Sequence, residues 1–230
     1  MYFYHLNSIF ILTAKDLIST DLAAVRTSDR GEEVLTMMHL NHVRHLPIVN
    51  NTQFLGLISE TDIVLHDLKE AVGSYSLSLF RPYCFEKDHI FDIIGQVSRF
   101  DLTLIPVVDE QNQYVGVITM EKLLQYFADS YAFAEHGSVF TIETTEQNYS
   151  MGEICRIIES EGIKVLSTFI NNNPNTTKVE ITVKTNAKEN FRIKQSLERF
   201  GYDVRLSEGQ DEYIDNLKDR FDSLMTYLNV

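Results

Sequence analysis

At 230 residues and 44% hydrophobic, the chain is long enough for one large or two modest cores. Its formal charge of −13 argues against a nucleic-acid partner, which needs a dense positive surface, and against adsorption to an anionic membrane. Two cysteines, Cys84 and Cys155, make no disulfide framework, so a reducing, cytoplasmic setting is the expectation.

Residues 1–13 open as an apolar arm, Met1 to Leu12 broken by Asn7 and Ser8. The arm has no basic n-region and no small-residue cleavage site. It falls short of the roughly 20 residues that span a bilayer, so it is expected to pack on the core or on a partner.

A motif then occurs twice. Leu46-Pro47-Ile48-Val49 leads through Phe54-Leu55-Gly56-Leu57-Ile58-Ser59, and Ile105-Pro106-Val107-Val108 leads through Tyr114-Val115-Gly116-Val117-Ile118-Thr119. The prolines are offset by 59 (106 − 47) and the glycines by 60 (116 − 56), so one residue has entered the turn between. A repeated unit seldom buries its apolar face alone, so the copies should pack on each other and leave a seam able to hold a ligand.

Each copy reads as βαββα. In the first, Leu22 to Val25 is a short strand, and Asp29 with Glu32 starts a helix striped by Val34, Leu35 and Met38. Val43 to Val49 and Phe54 to Ile58 pair across Asn50-Asn51, and a helix begins at Ser59. After a connector, Glu70 to Leu79, the second copy places a strand at Tyr83 to Phe85, a cap at Asp88 and a helix over Ile90 to Val97. A hairpin follows at Leu104 to Val108 and Tyr114 to Ile118, and Thr119 opens the last helix. The paired strands are apolar throughout, as strands buried on both faces are.

From Val139 the order becomes βαββαβ, the ferredoxin-like arrangement. The strands are Val139 to Ile142, Val165 to Ile170, Val179 to Val183 and Tyr202 to Leu206. One helix follows Ser150 and stops at Gly162; the other, from Phe191, stops at Gly201; Asn171 to Asn175 reads as a loop. In the tail, Ile214, Leu217, Phe221, Leu224 and Leu228 form an amphipathic seam, which suits packing on its own domain or pairing with a second chain.

The duplicated block resembles a tandem pair of CBS domains, a Bateman module. The residues that carry the resemblance are Val43-Arg44-His45-Leu46-Pro47-Ile48-Val49, Gly56-Leu57-Ile58-Ser59-Glu60-Thr61-Asp62 and their partners in the second copy. Residues 137–206 resemble an ACT-like domain, through the βαββαβ order and the stretch Met151 to Gly162. This architecture is similar to that of the bacterial acetoin-utilisation accessory protein family. The resemblance implies a mixed α/β and α+β chain. It has an arm (1–13), a CBS pair (14–129, with repeats at 14–69 and 80–129 packed pseudo-symmetrically), an ACT-like domain (137–206) and a C-terminal amphipathic helix (207–230).

The resemblance also implies regulation without catalysis. An adenosyl ligand, AMP, ADP, ATP or S-adenosylmethionine, would lie between the repeats and act on a partner. Each cleft takes Ser/Thr-x-x-Asp from one repeat, and the first strand and the proline strand from the other. Cleft one would comprise Ser59 and Asp62 with Arg81, Pro82, Tyr83 and Cys84, and Leu104, Ile105 and Pro106. Asp62 would accept hydrogen bonds from ribose hydroxyls. Thr103 and Leu104 stand where the family has a basic pair, and Asp101 is near, so this cleft would favour a ligand of lower negative charge. Cleft two would comprise Thr119 and Lys122 with Leu22, Ala23 and Ala24, and Val43, Arg44, His45 and Pro47. Arg44 and His45 hold the phosphate positions, while Lys122 replaces the ribose acceptor. Cleft one thus has the ribose group and cleft two the phosphate groups.

Other assignments remain open for the same residues. Ser59 and Asp62 fit a plain capping box, and one helix end can be both capped and liganded. Arg44 could be a solvated edge residue. His39, His42 and His45 have metal-like spacing but no completing carboxylate or cysteine, so surface histidines explain them better. Cys84 and Cys155 read as buried small hydrophobes. In the ACT-like part, Tyr149 stands where amino-acid-binding members have a glycine and would obstruct a ligand, which favours a structural or dimerising role. No GxSxG, HExxH, P-loop or GxG pair marks an enzyme. The expected protein is a homodimeric regulator responding to an adenosyl metabolite, with no membrane or nucleic-acid partner. The alternative is a ligand-free dimerising scaffold for a partner protein.

Overall fold

The computed structural model describes residues 12–79, 81–172, 177–187 and 191–206, so most of the arm and the whole tail seam lie outside the described residues. The chain divides between Tyr126 and Phe127 into two compact units.

The first unit is built on two antiparallel hairpins. β1 (His45–Asn50) pairs with β2 (Gln53–Ser59), and β4 (Leu104–Val108) pairs with β5 (Tyr114–Thr119). Both carry a bulge at the same repeat position. Pairing slips between Ile48 and Val49 in the first hairpin and between Val107 and Val108 in the second. The additional residue of the second copy sits in its turn, since Val49 faces Phe54 where Val108 faces Tyr114. Every residue of β4, and all of β1 except Asn50, is buried, as the unbroken apolar runs require.

Counterpart residues of the two repeats meet each other. The Arg44 N–H donates to the Thr103 hydroxyl at 3.0 Å, an offset of 59, and Gln53 bridges Gln113, an offset of 60. Residues that touch their own counterparts lie on a two-fold axis, so the pseudo-symmetry expected from the duplication is present in the backbone. Each repeat also lays its lead segment across the glycine of the other hairpin. Ser19 exchanges two backbone hydrogen bonds with Val117 (2.8 and 3.0 Å), and a Cβ on Gly116 would stand 2.8 Å from the Ser19 carbonyl oxygen. Leu77 lies against Gly56, its Cδ1 at 3.0 Å from the corresponding Cβ position.

Four local expectations change. Leu22 to Val25 is no strand; Val25 alone bridges Ile48 in parallel, through bonds of 2.9 and 2.8 Å to Pro47 and Val49. In the second copy only Cys84–Phe85 (β3) is a strand, parallel to β4. The first helix, α1 (Gly31–Leu40), starts after Arg30, whose N–H donates to Glu33 rather than Glu32, because Asp29 is already accepting from the Arg26 N–H at 2.8 Å. Likewise α3 (Ile90–Arg99) is capped by His89, since Asp88 accepts from the Phe85 N–H. The closing helices are α2 (Glu60–Val64), one short turn, and α4 (Met120–Asp129), at which the two units divide.

The second unit contains α5 (Tyr131–Ala134) and a four-stranded antiparallel sheet of order β7-β8-β6-β9. The strands are β6 (Ser138–Thr145), β7 (Val165–Asn172), β8 (Lys178–Thr185) and β9 (Asp203–Leu206). With α6 (Met151–Ser160) and α7 (Phe191–Arg199) this is the ferredoxin-like order. Ile154, Ile157 and Ile158 of α6 and Ile193 and Leu197 of α7 pack on Phe140, Ile142, Val179, Ile181, Val183 and Val204. Gly162 and Gly201, at φ 77° and 87°, end the two helices in the left-handed conformation. Asn171 and Asn172 extend β7 where a loop was expected. Tyr149 packs against the core.

The glycines give the first test. Gly116→Ala should lower unfolding stability by about 1–3 kcal/mol through the clash with Ile18 and Ser19. Gly95→Ala, inside α3 with nothing within 4 Å of its Cβ position, should raise it by up to about 1 kcal/mol. Urea titration reads both.

Candidate functional site

Ser59 ends β2 and caps α2. Its Oγ accepts from the Asp62 N–H at 3.1 Å, and its own N–H donates to Asp62 Oδ2 at 3.0 Å. The capping box is therefore formed, and it turns the Asp62 side chain back into the protein, where it is 2% exposed. The second oxygen, Oδ1, accepts from the Ser78 N–H at 2.9 Å. Burial works against the charged carboxylate, but the donors from Ser59 and Ser78 outweigh it and hold Asp62 below the ordinary carboxylate range.

Beside this turn opens a cleft of about 500 Å3, lined by Ser59, Glu60 and Thr61, by Val64 and Leu65, by Ser78 and Leu79, and by Arg44, His45, Phe100 and Asp101. It draws together residues that the sequence pattern divided between two clefts. Arg44 and His45, expected with Thr119 and Lys122, border the cleft of Ser59. The reason lies at the axis, where the first repeat's proline strand meets the second's. Thr103 is the hub there: its Oγ1 accepts from the Arg44 N–H, and its N–H donates to His45 Nδ1 at 3.2 Å. That bond leaves the imidazole proton on Nε2. His45 is buried rather than a surface histidine, and burial, then the Arg44 charge, push its pKa down despite Asp101 and Asp62.

Arg44 is exposed, and its guanidinium is 3.3 Å from Asp101. Asp101 stands at φ 49° in the left-handed region, which asparagine and aspartate enter most readily after glycine.

Five residues expected in cleft one, Pro82, Cys84, Leu104, Ile105 and Pro106, are buried and do not line the cleft beside Ser59. Cys84 and Leu104 are fully buried and Pro106 is buried in β4, and burial pushes the Cys84 thiol up to about 12. Arg81 does not join Ser59. Its guanidinium donates to the Phe54 carbonyl and lies 5.4 Å from the Phe54 ring centre. With Tyr83, Gln53 and Gln111–Gln113 it borders a separate cleft of about 460 Å3 at the turn end of the hairpins. Tyr83 and Ala24 pack there around Val49, Phe54 and Val108. Of the residues expected in cleft two, Leu22, Val43 and Pro47 are buried, Ala23 and Lys122 are exposed, and the Thr119 Oγ1 accepts from the Lys122 N–H at 3.1 Å.

Sequence reasoning missed Thr103 and Ser78. Thr103 was legible only as a missing cation. Ser78 acts through its backbone N–H, which no residue type advertises. No group of His, Cys, Asp and Glu among the described residues could hold a metal ion, and no described helix is long and apolar enough to cross a membrane.

A homoserine O-acetyltransferase of Methanobrevibacter ruminantium is 29% identical over 112 residues, 47% of this chain and 22% of that protein. An uncharacterized 33.4 kDa protein in the ribosomal RNA operon of Thermofilum pendens is 26% identical over 170 residues, 63% of this chain and 56% of its own length. The match thus spans about a fifth of the first relative and just over half of the second. Among solved structures, a CBS domain pair/ACT domain protein of Thermotoga maritima is 21% identical, with 52% of this chain and 99% of that one covered, at a TM-score of 0.47. CBSX2 in complex with AMP is 18% identical, with 50% and 96% covered, at 0.44. A CBS domain pair in complex with 5′-methylthioadenosine and S-adenosyl-L-methionine is 22% identical, with 51% and 97% covered, at 0.43. The CBS-domain family model matches residues 14–69 and 81–129, the two halves related by the axis at Arg44 and Thr103: the chain carries two CBS domains in tandem.

Proposed function

We propose that this is a non-catalytic regulatory protein. Its CBS pair takes an adenosine-containing ligand of low negative charge in the cleft beside Ser59. Its ferredoxin-like unit, as an ACT-like dimerising domain, passes the occupied state to a protein partner. The observation that carries the reading is the cleft at the seam of the repeats. At about 500 Å3 it falls within the roughly 300–1,000 Å3 of small-molecule sites, and it combines an apolar wall of Val64, Leu65, Leu79 and Phe100 with convergent polar groups.

Charge selects the class of adenosyl ligand. Arg44 is the one fixed cation among the described lining residues, against Glu60 and Asp101, and Asp101 already holds it. His45 is kept neutral by burial. A triphosphate would meet two carboxylates with one shared guanidinium, whereas a sulfonium or an uncharged nucleoside would not. S-adenosylmethionine and adenosine derivatives therefore suit the cleft better than ATP. One observation favours a scaffold instead: both oxygens of Asp62 accept from the chain's own backbone, so the turn needs no ligand to be satisfied.

A thermal-shift panel of adenosine, AMP, ADP, ATP and S-adenosylmethionine separates the two readings. Ligand at 100 times its Kd adds about 2.7 kcal/mol. The expected order places S-adenosylmethionine or adenosine first and ATP last. Silence across the panel would favour the scaffold.

The Asp62 charge can be tested without any ligand. Asp62→Asn sets an NH2 against a backbone donor and should cost about 1–3 kcal/mol near neutral pH. Because the folded pKa of Asp62 lies below its unfolded value, the stabilisation is complete above about pH 4 and is lost as pH falls through the folded value. Urea titrations should show the gap between wild type and variant narrowing below about pH 4. A constant gap to lower pH would mean that the carboxylate is not charged in the fold.

A further inference from the structure

The geometry points to a gate on this cleft: residues 75–79 form a strap whose Ser78 amide occupies the Asp62 carboxylate, and a ligand enters by lifting it. The inference rests on the adenosyl reading above and adds how that site is regulated.

The strap is held at four places. Ser78 N–H donates to Asp62 Oδ1 at 2.9 Å, the oxygen that the Ser59 N–H leaves free. Two residues earlier, Ser76 N–H donates to His66 Nε2 at 3.3 Å. The other nitrogen, Nδ1, carries the ring proton and gives it to the Asp62 carbonyl oxygen at 2.7 Å. His66 thus ties the last turn of α2 to the strap and is neutral while it does so. The third hold is Tyr75, 8% exposed, which stacks on the His66 ring at 4.5 Å and 15° and donates its hydroxyl to the Asp67 carbonyl oxygen at 2.6 Å. Its seat exists because Gly31 has no side chain; a Cβ there would stand 2.3 Å from the Tyr75 oxygen. The fourth is Leu77 on Gly56. Past these holds, Ser78 and Leu79 line the cleft directly.

The strap competes with a ligand for one atom. Each Asp62 oxygen keeps a further lone pair, but at 2% exposure the carboxylate presents no surface to a ligand while the Ser78 amide is bound to it, so a ribose hydroxyl reaches Oδ1 only when the strap lifts. Binding therefore exchanges an intramolecular donor for a ligand donor, and the apparent affinity falls by the fraction of time the strap is open. The pseudo-equivalent segment at Ser19 is held differently. It is paired to Val117 through backbone alone, and the position matching Asp62 is the exposed Lys122. The carboxylate latch thus belongs to one cleft only.

The test uses the full chain, with S-adenosylmethionine and adenosine as probes. Two variants loosen the strap and leave the Ser59–Asp62 capping bonds in place. His66→Ala removes the stack, the acceptor for Ser76 and the donor to the Asp62 carbonyl oxygen. Ser76→Pro removes only the N–H, and Tyr75 before it, at ψ 146°, is already in the extended conformation that precedes proline. In wild type without ligand, amide exchange followed by NMR should find the Ser76 and Ser78 amides protected, and the bound probe should release Ser78. Calorimetry should find the probe bound about three- to tenfold more tightly by both variants. Unprotected strap amides in the free protein, a bound probe that leaves Ser78 protected, or equal affinity in wild type and variants would overturn the strap alone. Failure of both probes to bind wild type and either loosened variant would overturn the adenosyl reading and the strap with it.

Discussion

A carboxylate leaves water only if donors replace the water it loses, and the first unit is organised around one that has done so. Asp62 is almost wholly buried, and each of its oxygens accepts from a backbone amide. One amide, from Ser59, belongs to the cap of α2; the other, from Ser78, belongs to the connector between the repeats. A local feature of helix initiation is thereby coupled to a long-range feature of chain path. The connector cannot leave without stranding a buried charge, and the cap cannot be lost without freeing the connector. The cleft lies where these two requirements meet.

The second constraint is the duplication itself. Two hairpins with a bulge at the same position, each buried on both faces, cover each other by sharing an axis, and counterparts that meet on the axis must be compatible with themselves or have diverged together. Gln53 and Gln113 remain alike. Arg44 and Thr103 differ: the Arg44 backbone N–H donates to the Thr103 hydroxyl, and burial, then the Arg44 charge, push the His45 pKa down. With threonine at 103, Arg44 has no second cation as its counterpart across the axis, and its guanidinium faces the Asp101 carboxylate at 3.3 Å.

What the sequence made legible follows from how local each signal is. The hairpins were readable because apolar runs, turn residues and a nearly constant offset agree, and the second unit because helix-period and strand-period stretches alternate with glycine stops at Gly162 and Gly201. The ends were less readable. Asp29 and Asp88 look like caps, but each is spent on a turn just before its helix, and Arg30 and His89 take the position. Leu22 to Val25 has strand composition yet forms one bridge, because neighbours across the sheet, absent from any local window, decide whether a short segment pairs. Site residues were least readable where tertiary placement rules. Arg81 is drawn to the Phe54 carbonyl by a backbone at φ 30°, a conformation its residue type does not announce.

Symmetry in the backbone and asymmetry in the side chains together define what the pair can do. Both lead segments cross the opposite glycine, so either repeat could in principle close over a ligand in the same way. Only the first has the acceptor that makes closure depend on occupancy. At the second, Lys122 offers donors where Asp62 offers acceptors, and Ser19 is fastened by main-chain bonds that no ligand hydroxyl can replace one for one. A ligand admitted at Asp62 would therefore loosen one of two otherwise equivalent crossings and leave the other fixed. The side-chain difference at Asp62 and Lys122 thus makes the two crossings unequal although the backbone repeats them.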